Sequence, residues 1–559
     1  MKKLYLIIIS YSLLINHSSA QPLHQKKEFT HQDTLRGSIG PEREWWDVLH
    51  YDVKVTPDYN AKSITGKTII QYKVIEDKHS DYLQIDLQQP LKIDTLYYDG
   101  KLYINYPQKP YYNEGNVWHV PLPKTTKNSI HTLGIIYHGN PRIAKNPPWD
   151  GGWIFTTDAE GRPWMTVACQ GLGASVWYPC KDHQSDEPDN GATLTVIVPD
   201  TLMAVGNGRL VSQFEIPPAP GGTKLHSYTW EVKAPINNYD IIPYIGKYVT
   251  WHEDYNGEKG KLDCDYWVLD YDLEKAKKQF TQVKYMLKCF EYWMGPYPFY
   301  EDGYKLVEAS HLGMEHQSAV AYGNKFMNGY LGRDISGSGW GKNWDYIIVH
   351  ESGHEWFANN ITTNDIADMW VHEGITDYSE TLFVECQNGK EAGDEYTQGL
   401  RRNIRNDRPI IGPYGVNQEG SGDMYNKGNN IMHMVRQIID NDSLFRNILR
   451  GLTETFYHKT VDSKDIENYI TKKSGKDLSK VFDQYLRTTK IPVLEYKIED
   501  DKLLYRWNNC IDGFMMPVKL ANTGEWLKPT TEWKQTTATA SLKDNFSIDK
   551  NFYITVKKL

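Results

Sequence analysis

The hydrophobic period of this chain changes twice along its 559 residues, and that change most limits the folds it can adopt. From His50 to Gly246 apolar and polar residues alternate with period two, as in half-buried β-strands. A helical pattern runs from Asp272 to Trp293, helical patterns dominate from Trp344 to Leu486, and after Pro492 the alternation returns. The pattern therefore predicts a multidomain α+β protein in which β-rich parts flank a mostly helical part.

The same pattern divides the chain into five segments. We predict a signal peptide at 1–20, a mobile polar tail at 21–43, an N-terminal β domain at 44–246, a mostly helical domain at 247–490 and a small C-terminal β domain at 491–559. The signal peptide is indicated by two lysines, an apolar run from Leu4 to Ile15 and small residues before a cleavage site near Ala20. We therefore expect export to the periplasm or the extracellular space.

Composition excludes some partners. Lys plus Arg is 62 against 71 for Asp plus Glu, so the net charge is −9, and no dense basic block is present to bind nucleic acid. No stretch after Ala20 is long and apolar enough to span a membrane, so we expect no transmembrane segment in the mature chain. Among six cysteines only Cys169 and Cys180 are near each other; a bridge there is open, and buried free thiols are favoured.

One short motif carries metal chemistry. His350 and His354 are four residues apart, so on a helix they lie on one face about one turn apart and can bind one metal. Glu351 lies beside them and can accept a proton from water instead of ligating. This His-Glu-x-x-His pattern predicts a zinc site with a general base.

A third ligand follows at a suitable distance. Glu373 comes after His354 with eighteen residues between them, and a second helix packed on the first could present it to the metal. Two His and one Glu leave an open position, as a catalytic zinc site requires, so we expect one Zn²⁺ per chain. Glu380 lies two helical turns further on, where it either orients a ligand histidine or is a surface carboxylate.

These motifs and several others resemble the aminopeptidase N family of zinc peptidases, peptidase family M1 of the gluzincins, which includes leukotriene hydrolase. The resemblance covers roughly residues 45–490. Beyond the zinc motif it rests on Trp356-Phe357, Trp370-x-x-Glu373-Gly374, Gly295-Pro296-Tyr297-Pro298 and Tyr178-Pro179-Cys180 with Asp186-Glu187-Pro188. It implies a saddle-like N-terminal β domain, a thermolysin-like catalytic domain and a β-sandwich-like C-terminal domain.

The resemblance also implies roles for residues outside the zinc motif. Glu315, in Gly313-Met314-Glu315, matches the residue that binds the substrate's α-amino group, although His316 replaces the usual Asn. Tyr425, before Asn426-Lys427-Gly428, matches the tyrosine that donates to the tetrahedral oxyanion. Gln170 matches a residue of the amino-terminal subsite, with Gly171 and Gly173 in place of the usual neighbours. His372 likewise replaces an Asn.

The function we expect is that of an exported zinc aminopeptidase. It would hydrolyse the first peptide bond of peptides with a free N-terminus, with Glu351 as the general base for the attacking water. Three alternatives share parts of this site: a thermolysin-like endopeptidase, which has no need of Glu315; an epoxide hydrolase, which uses the same metal; and a non-catalytic peptide-binding protein, against which the intact Glu351 argues.

Overall fold

The computed structural model describes residues 28–103, 110–218 and 222–559. The predicted signal peptide at 1–20 lies outside these residues. Within them, no helix combines the length and the apolar character needed to cross a membrane.

The N-terminal part is almost entirely β-structure. Its elements are α1 (His31–Gly37), β1 (Trp46–Asp58), β2 (Ser63–Val74), β3 (Tyr82–Asp86), β4 (Lys92–Tyr98), β5 (Lys101–Leu102), β6 (Tyr112–Glu114), β7 (Val117–Pro121), β8 (Ile130–Gly139), β9 (Gly152–Thr157), β10 (Pro163–Ala168), β11 (Ala192–Pro199), β12 (Met203–Val205), β13 (Arg209–Ile216), β14 (Leu225–Val232) and β15 (Tyr244–Gly246). In β1 the side chains of Tyr51, Val53 and Val55 are fully buried while their neighbours are at least partly exposed. The period-two prediction is confirmed here because one face of the sheet covers the core.

Eight of these strands form one open sheet in the order β13-β14-β11-β1-β2-β8-β4-β5. All its neighbouring pairs are antiparallel except β1 with β11. Two smaller sheets, β12-β15-β10-β9 and β3-β7-β6, complete this part. The strand β10 leads directly into the segment that carries Gln170.

The N-terminal segment after residue 28 is ordered, so the prediction of a mobile tail is wrong for its described part. Helix α1 begins at a cap in which the backbone N–H of Thr30 donates to Asp33 at 2.8 Å. Arg36 then pairs with the buried Asp182, and Arg43 is fully buried. The hydrophobic pattern of a sequence cannot predict ion pairs of this kind. These pairs hold the polar segment against the β domain.

The middle part begins with a hairpin and then becomes helical. Its elements are β16 (Tyr248–Gly257), β17 (Gly260–Leu269), α2 (Leu273–Gln279), α3 (Val283–Met294), β18 (Tyr304–Glu308), β19 (Gly313–Met314), β20 (Val320–Tyr322), α4 (Tyr346–Gly353), β21 (Ile361–Thr363), α5 (Trp370–Asn388), α6 (Lys390–Leu400), α7 (Asn426–Ile439), α8 (Asp442–Thr455), β22 (Lys459–Val461), α9 (Ser463–Ser474) and α10 (Ser479–Arg487). Helix α9 ends where Gly475 takes φ +65°, a conformation that glycine adopts at little cost.

Packing in this part brings the five-stranded sheet, helix α4 and helix α5 together. The sheet β16-β17-β18-β20-β19 lies beside α4, which contacts β19, β20 and α5. A disulfide between Cys289 and Cys386 joins α3 to the end of α5. This pair, 97 residues apart, was not predicted from the sequence, whereas Cys169 and Cys180 are buried free thiols, as favoured.

The C-terminal part is a small β structure. Its elements are β23 (Val493–Glu499), β24 (Lys502–Asn508), β25 (Val518–Lys519), β26 (Trp526–Leu527), β27 (Lys534–Thr537), α11 (Ala540–Asp544) and β28 (Thr555–Lys558). Four strands form the sheet β27-β24-β23-β28, and its buried Leu494 and Trp507 belong to the same apolar core as the helices. The multidomain α+β prediction is confirmed, while the boundaries at 246 and 490 stay predictions.

Candidate metal centre

Helix α4 begins at a well-built cap. Asp345 is fully buried, and its carboxylate accepts hydrogen bonds from the backbone N–H groups of Ile347 and Ile348 at 3.1 and 3.4 Å. It also accepts from Tyr322 at 2.7 Å and from Asn324 at 2.8 Å. Such a cap fixes where the helix starts and therefore which residues of the next two turns face the site.

Helices α4 and α5 bring His350, His354 and Glu373 together. The Nε2 atoms of the two histidines are 3.3 Å apart, and Oε2 of Glu373 lies 3.3 Å from that of His354 and 3.8 Å from that of His350. Two nitrogens on a tetrahedral zinc at about 2.0–2.1 Å would be about 3.3 Å apart, so the donor set fits this metal. His350 and His354 are on one face of one turn, as the sequence predicted.

The other ring nitrogen of each histidine already has a partner. Nδ1 of His350 lies 2.6 Å from Oε1 of Glu380, whose Oε2 accepts from the hydroxyl of Tyr396 at 2.6 Å. Nδ1 of His354 lies 3.1 Å from the carbonyl of Phe357. These contacts place the proton on Nδ1 and leave both Nε2 lone pairs for a metal. Glu380 is fully buried, which excludes the surface alternative.

Burial and charge act in opposite directions on the carboxylate of Glu373. Burial alone would raise its pKa, but the adjacent rings of His354 and His350 hold the pKa below its usual range. The carboxylate is therefore ionised, as a metal ligand must be.

Two glycines allow Tyr425 to reach the metal centre. A Cβ on Gly428 would lie 2.6 Å from Cα of Gly374, so helices α5 and α7 touch through backbone at this point. Tyr425 precedes α7, and its ring stacks on that of His350 with centroids 6.0 Å apart. Burial and nearby carboxylates raise the pKa of Tyr425 well above 10, so its hydroxyl keeps its proton.

Glu351 faces the edge strand β19. A Cβ on Gly313 would lie 2.6 Å from Oε1 of Glu351, so the glycine provides the space that this carboxylate occupies. Met314, the next residue, is buried. Burial raises the pKa of Glu351 to about 7, and this shift is opposed by the two histidines when they are protonated.

Glu315 is held in place from three directions. Gln170 donates to its Oε1, and the hydroxyl of Tyr239 donates to the same oxygen at 2.8 Å. Asn359 donates to its backbone carbonyl at 2.7 Å. The carboxylate is buried, and this desolvation raises its pKa. The structure thus brings Gln170 and Glu315 together, and it adds Tyr239, for which the sequence carried no local signal.

His316 and His372, the two histidines that replace asparagines, have different hydrogen-bond partners. Nδ1 of His316 lies 2.5 Å from the hydroxyl of Tyr244. Nε2 of His372 accepts from the backbone N–H of Thr363 at 2.9 Å, which ties α5 to β21. Neither contact is with the metal-binding group.

Fold and site together place a His-Glu-x-x-His helix and a Glu-bearing helix beside an open sheet, an arrangement that suits a catalytic metal site. Residues 271–485 match the family model described as the peptidase family M1 domain, which confirms the resemblance.

Relatives of known identity agree. Aminopeptidase M1 of Arabidopsis thaliana is 21% identical over 505 residues, covering 86% of this chain and 54% of that protein. Aminopeptidase N of Lactococcus lactis subsp. lactis is 26% identical over 489 residues, covering 81% of this chain and 52% of that protein. This chain thus spans about half the length of these two curated relatives.

The fold is also similar to a solved structure. A mutant M1 zinc metallopeptidase from Deinococcus radiodurans, bound to a Tyr-Ser-Ala substrate, aligns with a TM-score of 0.65 and 20% identity, covering 81% of this chain and 96% of that one.

Proposed function

We propose that this protein is an exported zinc aminopeptidase that removes the first residue of peptides with a free N-terminus. One Zn²⁺ per chain would be held by His350, His354 and Glu373. The observation that carries the proposal is the buried carboxylate of Glu315, which accepts from Tyr239 and is close enough to Glu373 for the two carboxylates to interact.

The zinc site alone does not distinguish a chain end from an internal bond. A separate group must bind the α-ammonium, and we assign this role to Glu315, whose buried carboxylate is close enough to Glu373 for that negative charge to raise its pKa. A desolvated carboxylate attracts an ammonium more strongly than water-exposed groups do. Binding there would leave the first peptide bond over the metal, and the Tyr-Ser-Ala peptide bound by the Deinococcus protein is a substrate of this kind.

Each remaining residue has one task in this proposal. Bound zinc supplies Lewis acidity toward the substrate carbonyl. Glu351 takes the proton of the attacking water and passes it to the leaving amine. Tyr425 donates its hydroxyl to the oxyanion, whose charge is present only in the transition state. Glu380 keeps His350 in the tautomer that presents Nε2.

Export is supported by residues outside the site. The first twenty residues have the composition of a signal peptide, and the Cys289–Cys386 disulfide suits an oxidising compartment. Detection of the mature chain in the periplasmic or culture-medium fraction, with an N-terminus near residue 21, tests this part. A chain that stays in the cytoplasm with residues 1–20 attached contradicts it.

The experiment for the activity compares a free peptide with its N-acetylated twin, on the wild type and on Glu315→Ala. Acetylation removes the charge and strands the buried carboxylate, which costs about 2–5 kcal/mol. This is about 30-fold to several thousand-fold in kcat/KM, at 1.4 kcal/mol per factor of ten. The wild type should prefer the free peptide by that factor, and the variant should lose most of the preference.

The alternatives predict different results. Equal cleavage of both peptides at internal bonds would identify an endopeptidase. Turnover of a lipid epoxide without peptide cleavage would identify an epoxide hydrolase. Binding of peptides without turnover of any substrate, in protein shown to contain zinc, would identify a non-catalytic binding protein.

A further inference from the structure

A small cavity adjoins the amine site. Gln170 and Tyr239, which both donate to Glu315, line it together with Arg36, Gly37 and Asn417. Its volume is about 30 Å³, room for only a few water molecules. When the ammonium of a peptide's first residue binds Glu315, the side chain of that residue must lie in the space next to Glu315. The reason is that the ammonium and the side chain are both attached to the same Cα atom.

Arg36 reaches this cavity through a gap left by a glycine. A Cβ on Gly173 would lie 2.1 Å from Nη2 of Arg36 and 2.1 Å from a carboxylate oxygen of Asp182. Gly173 has φ +92°, a conformation that other residues rarely adopt. The Arg36–Asp182 ion pair thus fills the place where a side chain at position 173 would be, and Arg36 is 22% exposed.

A second contact holds the N-terminal segment against this wall. A Cβ on Gly37 would lie 2.1 Å from the backbone nitrogen of Asn417, so the two backbones touch. The side chain of Asn417 donates to the carbonyl of Gly171 at 3.2 Å. The loop that carries Gln170 is therefore clamped between the N-terminal segment and the chain around residue 417.

We propose, on the basis of the aminopeptidase function above, that Arg36 and Gly37 close the far end of the pocket for the first side chain. The enzyme then selects peptides whose first residue is short and uncharged, such as glycine, alanine or serine. The N-terminal segment is in this way a specificity element.

The chemistry of the walls agrees with this selection. Ile366 is the one aliphatic side chain among the lining residues. Arg36 is already paired with Asp182, and the two carboxylate oxygens of Asp365 accept backbone N–H groups of Ala367 and Gly415 at 2.9 and 2.7 Å. Because these charged groups already have hydrogen-bond or ion-pair partners, a charged substrate side chain would lose its water with little compensation. A large apolar side chain meets polar walls and too little space.

The test is a set of aminoacyl chromogenic substrates that differ only in the first residue: alanine, serine, leucine and phenylalanine. The wild type should turn over the alanine substrate at least about 10-fold better than the phenylalanine one in kcat/KM, since misfit in a pocket is worth about 10–200-fold. Arg36→Ala should reduce that ratio about 10-fold by improving the larger substrates.

Three further variants distinguish the effect of pocket volume from the effect of losing the ion pair or the fold. Arg36→Met breaks the same ion pair but fills the pocket, so it should keep the wild-type ratio. Thr34→Ala, on the exposed side of α1, should also keep it. Asn417→Gly enlarges the pocket beside Gly37, at a residue with φ +49° that glycine tolerates, and should lower the ratio even if Arg36→Ala does not fold.

The outcomes distinguish this inference from the function on which it rests. A wild type that cleaves free-amine substrates but handles phenylalanine as well as alanine overturns the pocket inference alone. Unchanged ratios in folded Arg36→Ala and Asn417→Gly do the same. A wild type, loaded with zinc, that cleaves no free-amine substrate overturns the proposed function and this inference together.

Discussion

Removal of the Glu380 carboxylate should weaken zinc binding without touching a metal ligand. Glu380 is fully buried, with its Oε1 on Nδ1 of His350 and its Oε2 on Tyr396, each at 2.6 Å. In Glu380→Ala the nearest remaining partner of that nitrogen is the hydroxyl of Tyr346 at 3.3 Å, so the ring loses the contact that fixes its tautomer. Loss of such a partner typically costs about 10–100-fold in metal affinity, or about 1.4–2.8 kcal/mol.

The chain offers graded variants for this prediction. Glu380→Gln keeps an acceptor for Nδ1 and loses only the charge, so its zinc affinity should fall about 10-fold. The zinc affinity of Glu380→Ala should fall about 100-fold. Tyr396→Phe removes the bond on the far oxygen and should change the affinity much less. Competition of the apoprotein with a chromogenic zinc chelator measures all three. Wild-type affinity in folded Glu380→Ala would refute the role assigned to this carboxylate.

The remaining predictions concern the metal, the catalytic groups and the buried charges. Chelation should abolish activity reversibly and lower Tm, because zinc binds only the folded state; activity in metal-free protein would contradict this. Glu351→Gln should keep zinc and lose about 10²–10⁴-fold in kcat, as steady-state kinetics will show; a wild-type kcat would remove it as the base. Tyr425→Phe should lower kcat by about 10²–10³-fold with little change in KM, and a pure KM effect would place it in ground-state binding. Asp345→Ala should lower the free energy of unfolding by about 2–4 kcal/mol in urea titrations, since it removes a cap and strands buried donors; a change below about 0.5 kcal/mol would contradict the cap. Burial lowers the pKa of Lys305 to about 8 from 10.5, so the unfolded chain binds the extra proton between these values and stability should rise with pH there. Lys305→Met should flatten the rise of Tm with pH. Plots of Tm against pH that run parallel for the variant and the wild type would refute this prediction.

The metal-binding group could be predicted from the sequence because its geometry is local. His350 and His354 share a helix face by the 3.6-residue period alone, and Glu373 needed only a second helix packed on the first. The strands around Tyr51 and Val53 were predictable for a similar reason, since period two follows from the pleat. In each case the residues that must lie close together in space are also close together in the sequence.

The surroundings of Glu315 and the cavity beside it were decided by tertiary structure. Glu315 takes its hydrogen bonds from Gln170 and Tyr239, which are 145 and 76 residues away, and no spacing rule relates them. Arg36 meets its partner at Asp182 across 146 residues, so a segment without apolar period is ordered all the same. Local propensity and periodicity act within a few residues, whereas contacts between distant segments depend on how whole sheets and helices pack.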